Sequence, residues 1–223
     1  MNYKHIDLSH EMKDNMIVYP GDPEFILKDV AKDSDYSLFK ISGSLHTGTH
    51  IDAPYHYIKN GKKVNELNLN TLTGKASVLK TKDDVFDRGI KIEDIEPYKN
   101  KELEEIKSMK NIESRDHLEK IIILRTGWYK HWGEEDYFLK NPYISKQLAK
   151  FLIENKICGI AIDSCSVDKT GENKIHKKLL KNNIWIVENL TKTDKLVKEK
   201  YDSYFIPLNI SSEASYIRAF VKN

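Results

Sequence analysis

The chain has 223 residues, enough for one sizeable domain with a buried core. Lysine and arginine number 36 and aspartate and glutamate 34, so the net charge of +2 does not predict a concentrated basic surface for nucleic acid or an acidic membrane. No N-terminal hydrophobic signal region and no long apolar run occurs, which predicts a soluble, cytoplasmic protein. Cys158 and Cys165 are too few for a disulfide scaffold and are expected to be buried, reduced thiols.

The N-terminal part of the chain is predicted to form three strands. Residues 4–8 read as a short strand, and Pro-Gly-Asp-Pro at 20–23 is a strong turn signal. Residues 24–31 and 35–45 then form a pair of strands separated by a short polar segment. The second of these strands leads into a histidine-rich stretch.

Residues 46–56 read His-Thr-Gly-Thr-His-Ile-Asp-Ala-Pro-Tyr-His and hold three of the eight histidines. Imidazole and carboxylate bind borderline divalent ions such as Zn²⁺, and catalytic zinc sites keep one position open for water. The histidines and Asp52 occupy even positions, so an extended chain would place them on one face. On a straight strand His46 and His50 would lie roughly 13 Å apart, near the limit for two ligands of one ion. We therefore expect a bend at Gly48, which has no Cβ to clash.

The middle of the chain is predicted to alternate short helices with apolar strands. Residues 67–72 read as a short helix, 76–79 as a strand, and 121–124 as a strand buried on both faces. Residues 91–120 are charged, and we expect two short surface helices there, with His117 in a solvated region.

The C-terminal half continues this alternation. An amphipathic helix is predicted for 144–154, a buried strand for 157–162, a helix for 175–180, a strand for 184–187, and closing strands for 204–208 and 216–221. His176 heads the second helix, and Glu188 follows its strand. A histidine on a lysine-rich helix is ordinarily exposed and a glutamate at a strand end ordinarily solvated. Glu188, however, follows four apolar residues, and a buried unpaired carboxylate is costly, so it needs a partner such as a metal ion.

Two stretches carry a family resemblance. Residues 46–56 resemble the signature of the cyclase family of metal-dependent hydrolases, His-x-Gly-Thr-His-x-Asp-x-Pro-x-His, as in bacterial kynurenine formamidases, and every fixed position is present. The segment from His176 to Glu-Asn-Leu at 188–190 resembles the family's second ligand block. Asp163 and Asp168, in a loop similar to the family's, are candidate hydrogen-bond partners of the site.

The resemblance implies the architecture. It implies a single domain over residues 1–223 with an α/β fold, in which a mixed, barrel-like sheet carries helices outside, as in the family's swivelling β/β/α domain. It also implies association into homodimers or homotetramers. Tyr19 lies where the family often contacts an aromatic substrate, although an ordinary core or turn tyrosine is an equal alternative.

The resemblance also implies a metal centre. Its metal ligands would be His46, His50, Asp52, His176 and Glu188. Five ligands exceed the need of one tetrahedral ion, so we expect two ions about 3.5–4 Å apart, bridged by Asp52 and Glu188. Zn²⁺, two per subunit, is the expected cofactor and Mn²⁺ the alternative. His56 is then the general acid/base, because an imidazole with a pKa of about 6.5 suits proton transfer from water to a leaving amine.

The activity so implied is amide hydrolysis by metal-bound hydroxide. N-formyl-L-kynurenine, cleaved to formate and L-kynurenine, is the small-molecule substrate that the resemblance favours. Ring opening of a cyclic amide or lactone, as in isatin hydrolase, needs the same chemistry and stays open. A non-catalytic metal-binding protein would need the ligands but no free His56. A redox metalloprotein is disfavoured because no cysteine is among the proposed ligands.

Overall fold

The computed structural model describes residues 4–32, 34–82, 85–96 and 121–222. Its twelve strands in these ranges are β1 (His5–Asp7), β2 (Ile26–Asp29), β3 (Phe39–Ser42), β4 (His50–Asp52), β5 (Thr73–Lys80), β6 (Gly89–Ile90), β7 (Ile121–Arg125), β8 (Tyr143–Ile144), β9 (Gly159–Ile162), β10 (Trp185–Glu188), β11 (Lys200–Pro207) and β12 (Ala214–Lys222). The α-helices there are α1 (Leu69–Leu72), α2 (Lys146–Glu154) and α3 (Lys174–Lys181).

The main sheet closes on itself. Its strands follow the order β1-β12-β11-β5-β7-β9-β10-β4, and β4 also pairs with β12, so that seven strands form a barrel. The neighbours β5, β7, β9 and β10 run parallel, whereas the pairs that involve β11, β12 and β4 are antiparallel. The predicted α/β fold with a mixed, barrel-like sheet is confirmed.

The parallel strands are buried on both faces because each face packs against a separate apolar cluster. Ile122 and Leu124 of β7 pack in a cluster with α2 and α3, on the outside of the barrel. Ile121 and Ile123 of the same strand pack in a second cluster with residues of the other barrel strands. This two-sided burial is why β7 reads as a continuous apolar run rather than as an alternating one.

One close approach in the barrel requires glycine. Gly159 at the start of β9 pairs with Trp185 of β10, and a Cβ at position 159 would overlap the Trp185 indole ring. The predicted strand 157–162 begins at this glycine. Cys158, beside it, is half-buried and Cys165 is buried, and neither forms a disulfide.

Several predicted boundaries were wrong. The helix predicted from Ile144 begins at Lys146, because the Ser145 hydroxyl accepts a hydrogen bond from Leu148 N and caps it. Ile144 instead belongs to β8, which pairs with β6 in a small sheet without a periodic sequence signal. The strands predicted for 24–31 and 35–45 shorten to the β2–β3 hairpin.

Only part of the predicted surface-helix region can be compared with the structure. Ile92–Asp94 forms one 3-10 turn, whereas residues 97–120, including His117, lie outside the described residues. Of the helices in the described ranges, none has the length and apolar content needed to cross a bilayer.

Candidate metal centre

The short strand β4 brings two of the predicted ligands to the centre. His50 and Asp52 are two positions apart and therefore share one face of the strand. Antiparallel pairing with β10 sets His50 directly opposite Glu188, and pairing with β12 holds the other edge of β4. The register of the closed barrel thus joins residues that are far apart in the chain.

Within the histidine-rich stretch, only His50–Asp52 forms a β-strand. Gly48 has φ +64°, in the left-handed region, and the chain turns there as expected. As a result the rings of His46 and His50 lie 5.1 Å apart, far closer than on a straight strand. His56 ends a 3-10 helix, Pro54–His56, and its ring lies 4.4 Å from that of His46. The one-face prediction for the whole stretch was therefore wrong, although the side chains still converge.

Helix α3 supplies His176, which is buried rather than exposed. Asp168 accepts hydrogen bonds from the backbone N–H groups of Ile175 and His176 and from His176 Nδ1, the last at 2.9 Å. This carboxylate orients the imidazole so that its Nε2 lies 3.1 Å from Glu188 Oε1 and 3.4 Å from Asp52 Oδ2.

Asp163, the other candidate partner, lies elsewhere. It accepts hydrogen bonds from Thr126, Gly127 and Thr193 and so ties the end of β7 to the segment after β10. Its role in the described structure is to join two connecting segments.

All five predicted ligands and His56 converge. Two groups have ligand atoms within 4.8 Å of one another: His46, Asp52 and His56, and His50, Asp52 and Glu188. Asp52 belongs to both groups, and His176 lies against Asp52 and Glu188. Each group brings together the nitrogen and oxygen donors that borderline divalent ions prefer.

Unpartnered polar atoms mark the middle of this cluster. Asp52 is fully buried, and within the described chain neither of its carboxylate oxygens has a hydrogen-bond partner. His46 Nδ1 approaches Asp52 Oδ1 to 2.9 Å, but without hydrogen-bond alignment. His50 Nε2 is also buried and unpartnered, 3.6 Å from Asp52 Oδ1. Burying such groups without aligned hydrogen bonds is costly, so the donor set fits a divalent cation.

The electrostatics of the cluster favour positive charge. Burial alone would lower the pKa of His46, but the carboxylates of Asp52, Glu213 and Glu188 raise it to about 10. Burial likewise opposes the shift of His176, yet Glu188, Asp168 and Asp52 hold its pKa well above the usual range. The carboxylates thus stabilise a cation at the centre, and protonated imidazoles provide that charge in the metal-free protein.

His56 behaves differently from its neighbours. Burial lowers the pKa of His56 to about 4, and the nearby Asp52 carboxylate only partly offsets this effect. The ordinary value of about 6.5 expected from the sequence is therefore wrong for the metal-free protein. A neutral ring beside Asp52 is suited both to accepting a proton and to binding a metal.

Beside the cluster lies a cavity of about 320 Å³. Tyr19 and Phe138 form one aromatic wall with ring centroids 5.7 Å apart, and the Tyr19 hydroxyl accepts a hydrogen bond from Gly171 N. Asp22 and Lys169 also line the cavity, and neither forms an ion pair with another described residue. The structure therefore brings Tyr19 to the candidate site.

Sequence reasoning missed several of these residues. Glu213, 3.7 Å from His46 Nε2, lies just before β12 and joins the site only through the β4–β12 pairing. Phe138 and Lys169 lie in connecting segments with no recognisable pattern. Strand register brings Glu213 to the site, and only the full three-dimensional fold brings Phe138 and Lys169 there.

A family model matches much of this chain. The “Putative cyclase” model matches residues 6–169. The chain belongs to this cyclase family. Kynurenine formamidase of Bacillus cereus is 29% identical over 225 residues, which cover 97% of this chain and 96% of that protein.

Solved structures agree with the family's fold. Isatin hydrolase A from Labrenzia aggregata, bound to benzyl benzoate, superposes with a TM-score of 0.77 at 20% identity, over 99% of this chain and 93% of that one. A “predicted metal-dependent hydrolase” from Bacillus stearothermophilus gives a TM-score of 0.75 at 21% identity, over 100% and 99%. At 20% and 21% identity, these two structures establish only the fold of this chain.

Proposed function

We propose that this cyclase-family protein is a metal-dependent amide hydrolase that cleaves N-formyl-L-kynurenine to formate and L-kynurenine. The observation that carries the proposal is the pair of unpartnered, fully buried Asp52 oxygens amid four imidazoles, beside an aromatic-walled cavity. The full-length similarity to kynurenine formamidases supports the substrate.

His46, His50, Asp52, His176 and Glu188 would hold the metal, with Zn²⁺ as the proposed ion and Mn²⁺ as the alternative. The membership of Asp52 in both ligand groups supports two ions. When bound, the metal supplies Lewis-acid chemistry that polarises a carbonyl and makes water acidic near neutral pH.

The proton transfers fall to His56 in this proposal. Its ring is kept neutral by burial, so its free nitrogen is available to take a proton from the attacking water. The same nitrogen then protonates the amine that leaves as the C–N bond breaks. Asp168 holds His176 in one orientation meanwhile, so that the ring cannot turn away from Glu188.

The cavity lining supports an amino-acid substrate. Tyr19 and Phe138 offer an edge-to-face aromatic wall for the substrate's ring. Lys169 and Asp22 offer one positive and one negative charge, which complement the α-carboxylate and α-ammonium of N-formyl-L-kynurenine. Isatin, a neutral cyclic amide, would leave both charges unused.

The test is turnover by the metal-stripped protein after reconstitution with Zn²⁺ or Mn²⁺, followed through kynurenine absorbance. We expect metal-dependent hydrolysis, and a loss of about 10²–10⁴-fold in kcat for His56→Ala with its metal content unchanged. His131→Ala is the matched control, since His131 binds Glu134 outside the cavity.

Each other outcome corrects a different part of the proposal. Loss of metal from His56→Ala would make His56 a ligand rather than the proton carrier. Tight metal binding without turnover of N-formyl-L-kynurenine would contradict the substrate and direct the test to cyclic amides and lactones. Metal binding without hydrolysis of any of these would favour a non-catalytic metal protein.

A further inference from the structure

Asn189 joins three segments around the candidate metal centre. It directly follows Glu188, is only 3% exposed, and adopts a left-handed backbone with φ +58°. Its carbonyl oxygen accepts a hydrogen bond from Thr49 Oγ1 at 2.6 Å, and its N–H donates to Ser164 O. The residue after one proposed ligand is thus bonded to the residue before another, His50.

The Asn189 side chain reaches the carbonyl that fixes the His50 ring. Asn189 Nδ2 donates to Gly48 O at 3.1 Å, and His50 Nδ1 lies 2.9 Å from the same oxygen. A carbonyl oxygen can only accept, so His50 Nδ1 donates to Gly48 O, and Nε2 is the ring nitrogen left to bind a metal. That Nε2 is the buried, unpartnered nitrogen beside Asp52 and Glu188.

Tyr137 fixes the orientation of the amide. Its buried hydroxyl donates to Asn189 Oδ1 at 2.7 Å, which leaves Nδ2 facing Gly48. The left-handed backbone at 189 would suit glycine equally well, so the backbone alone does not require this side chain. What only the amide provides is the donor to Gly48 and the acceptor for Tyr137.

We infer that Asn189 is a positioning residue of the metal centre: through the Gly48 carbonyl it holds His50 with Nε2 directed at the metal. This inference rests on the proposed function, because it requires a metal at the cluster. Partners that orient ligating histidines typically contribute 10–100-fold to metal affinity.

The experiment is titration of the metal-stripped protein with Co²⁺, whose visible spectrum reports both affinity and ligand arrangement. Asn189→Gly keeps the left-handed backbone but removes both side-chain bonds, and we expect Co²⁺ to bind about 10–100-fold more weakly with an altered spectrum. The matched control is Asn183→Gly, because Asn183 has φ +56° at an exposed position after α3. This control should bind Co²⁺ as the wild type does.

A second variant separates positioning from charge. Asn189→Asp retains the size and the acceptor for Tyr137, but sets a carboxylate oxygen against Gly48 O. Added negative charge by itself would tighten cation binding, so weaker Co²⁺ binding by this variant reports lost positioning. Melting temperatures of the metal-free variants near that of Asn183→Gly would show that the fold is intact.

The outcomes distinguish the two proposals. Wild-type affinity and spectrum in Asn189→Gly would overturn the positioning role and leave the metal centre standing. Wild-type protein that binds no Co²⁺ would overturn the metal centre itself, and the positioning role with it. Co²⁺ binding without hydrolysis would contradict only the proposed activity.

Discussion

Lys169 is the residue through which the proposed substrate can be tested most directly. It is exposed at the cavity and has no ion-pair partner among the described residues, so it is available to bind a carboxylate. We expect Lys169→Met to raise the KM for N-formyl-L-kynurenine about fivefold, as for an exposed ion pair, with kcat nearly unchanged. Steady-state kinetics measures both constants.

Formanilide, an aryl formamide without the amino-acid tail, is the control substrate for this variant. Its KM should not respond to the loss of the Lys169 charge. Equal increases in KM for both compounds would mean that Lys169 shapes the cavity rather than binding the tail.

His10 couples stability to pH. It stacks on Trp132 with ring centroids 3.9 Å apart, and its Nε2 is buried without a hydrogen-bond partner in the described ranges. Burial, helped by the nearby Lys192, lowers the pKa of His10 from its ordinary 6.5 to about 4. Between these values the unfolded chain binds a proton that the folded protein does not, so the free energy of unfolding falls as the pH drops from about 6.5 to about 4.

His10→Phe retains the aromatic stacking and should remove this part of the pH dependence. The difference in unfolding free energy between wild type and variant is expected to change by about 1–3 kcal/mol across that window. Urea unfolding at pH 7 and pH 4, with a chelator present, measures it. His5→Phe, at an exposed position, is the control, and parallel pH profiles for His10→Phe and wild type would contradict the assignment.

Among the elements, the parallel strands were the most predictable from sequence. Strands β7, β9 and β10 are buried on both faces, so their sequences are continuously apolar. Such a run is visible in the sequence without any knowledge of the fold. Strands β6 and β8 have two residues each, too short for any period to be visible. Serine is a preferred residue at helix N-termini, so the capping role of Ser145 can be recognised from the sequence. The helix start at Ile144 was predicted from the spacing of apolar residues alone.

The candidate site was predictable where its residues lie in a stretch with a recognisable pattern, as His176 and Glu188 also do through their resemblance to the family's second ligand block. His46, His50, Asp52 and His56 share one stretch with a recognisable pattern. Glu213 and the Asn189–Gly48 bond depend on strand pairs that bring remote segments together, and no spacing in a single sequence encodes that register. The shift of the His56 pKa likewise depends on burial by distant segments.

The contact between β9 and β10 makes a separate prediction about the barrel wall. Because a Cβ at position 159 would overlap the Trp185 indole ring, Gly159→Ala must displace a fully buried side chain. We expect a loss of about 1–3 kcal/mol in the free energy of unfolding. Denaturant unfolding checks this value. A loss well below about 1 kcal/mol would contradict the overlap explanation.

For the whole molecule, the expected homodimer or homotetramer stays a prediction, and the β2–β3 hairpin is where we expect contact with a second copy. Six of the thirteen exposed large apolar side chains of the described chain lie between positions 26 and 41, and an exposed apolar patch of this kind is typical of an association surface. At about half exposure each they offer roughly 600 Å² per copy, so two copies would bury roughly 1,200 Å², the lower limit of a stable interface.

Sedimentation velocity tests this prediction. We expect the wild type to sediment as an oligomer at micromolar concentration and the double substitution Phe39→Ser with Ile41→Ser to shift it toward monomer. Leu139→Ser, which changes an equally exposed apolar residue elsewhere, should leave the oligomer intact. A monomeric wild type would contradict the prediction.

Barrel closure by the three-residue strand β4 has a consequence for biosynthesis. The early histidines can meet Glu188 only after β10 has been translated, and β4 gains its second neighbour only when β12 leaves the ribosome. A nascent chain that still lacks these late segments presents its histidine-rich stretch as an incomplete chelator with low selectivity. In the proposed metal centre, loading is therefore a step that follows translation, because a selective set of ligands exists only once the barrel has closed.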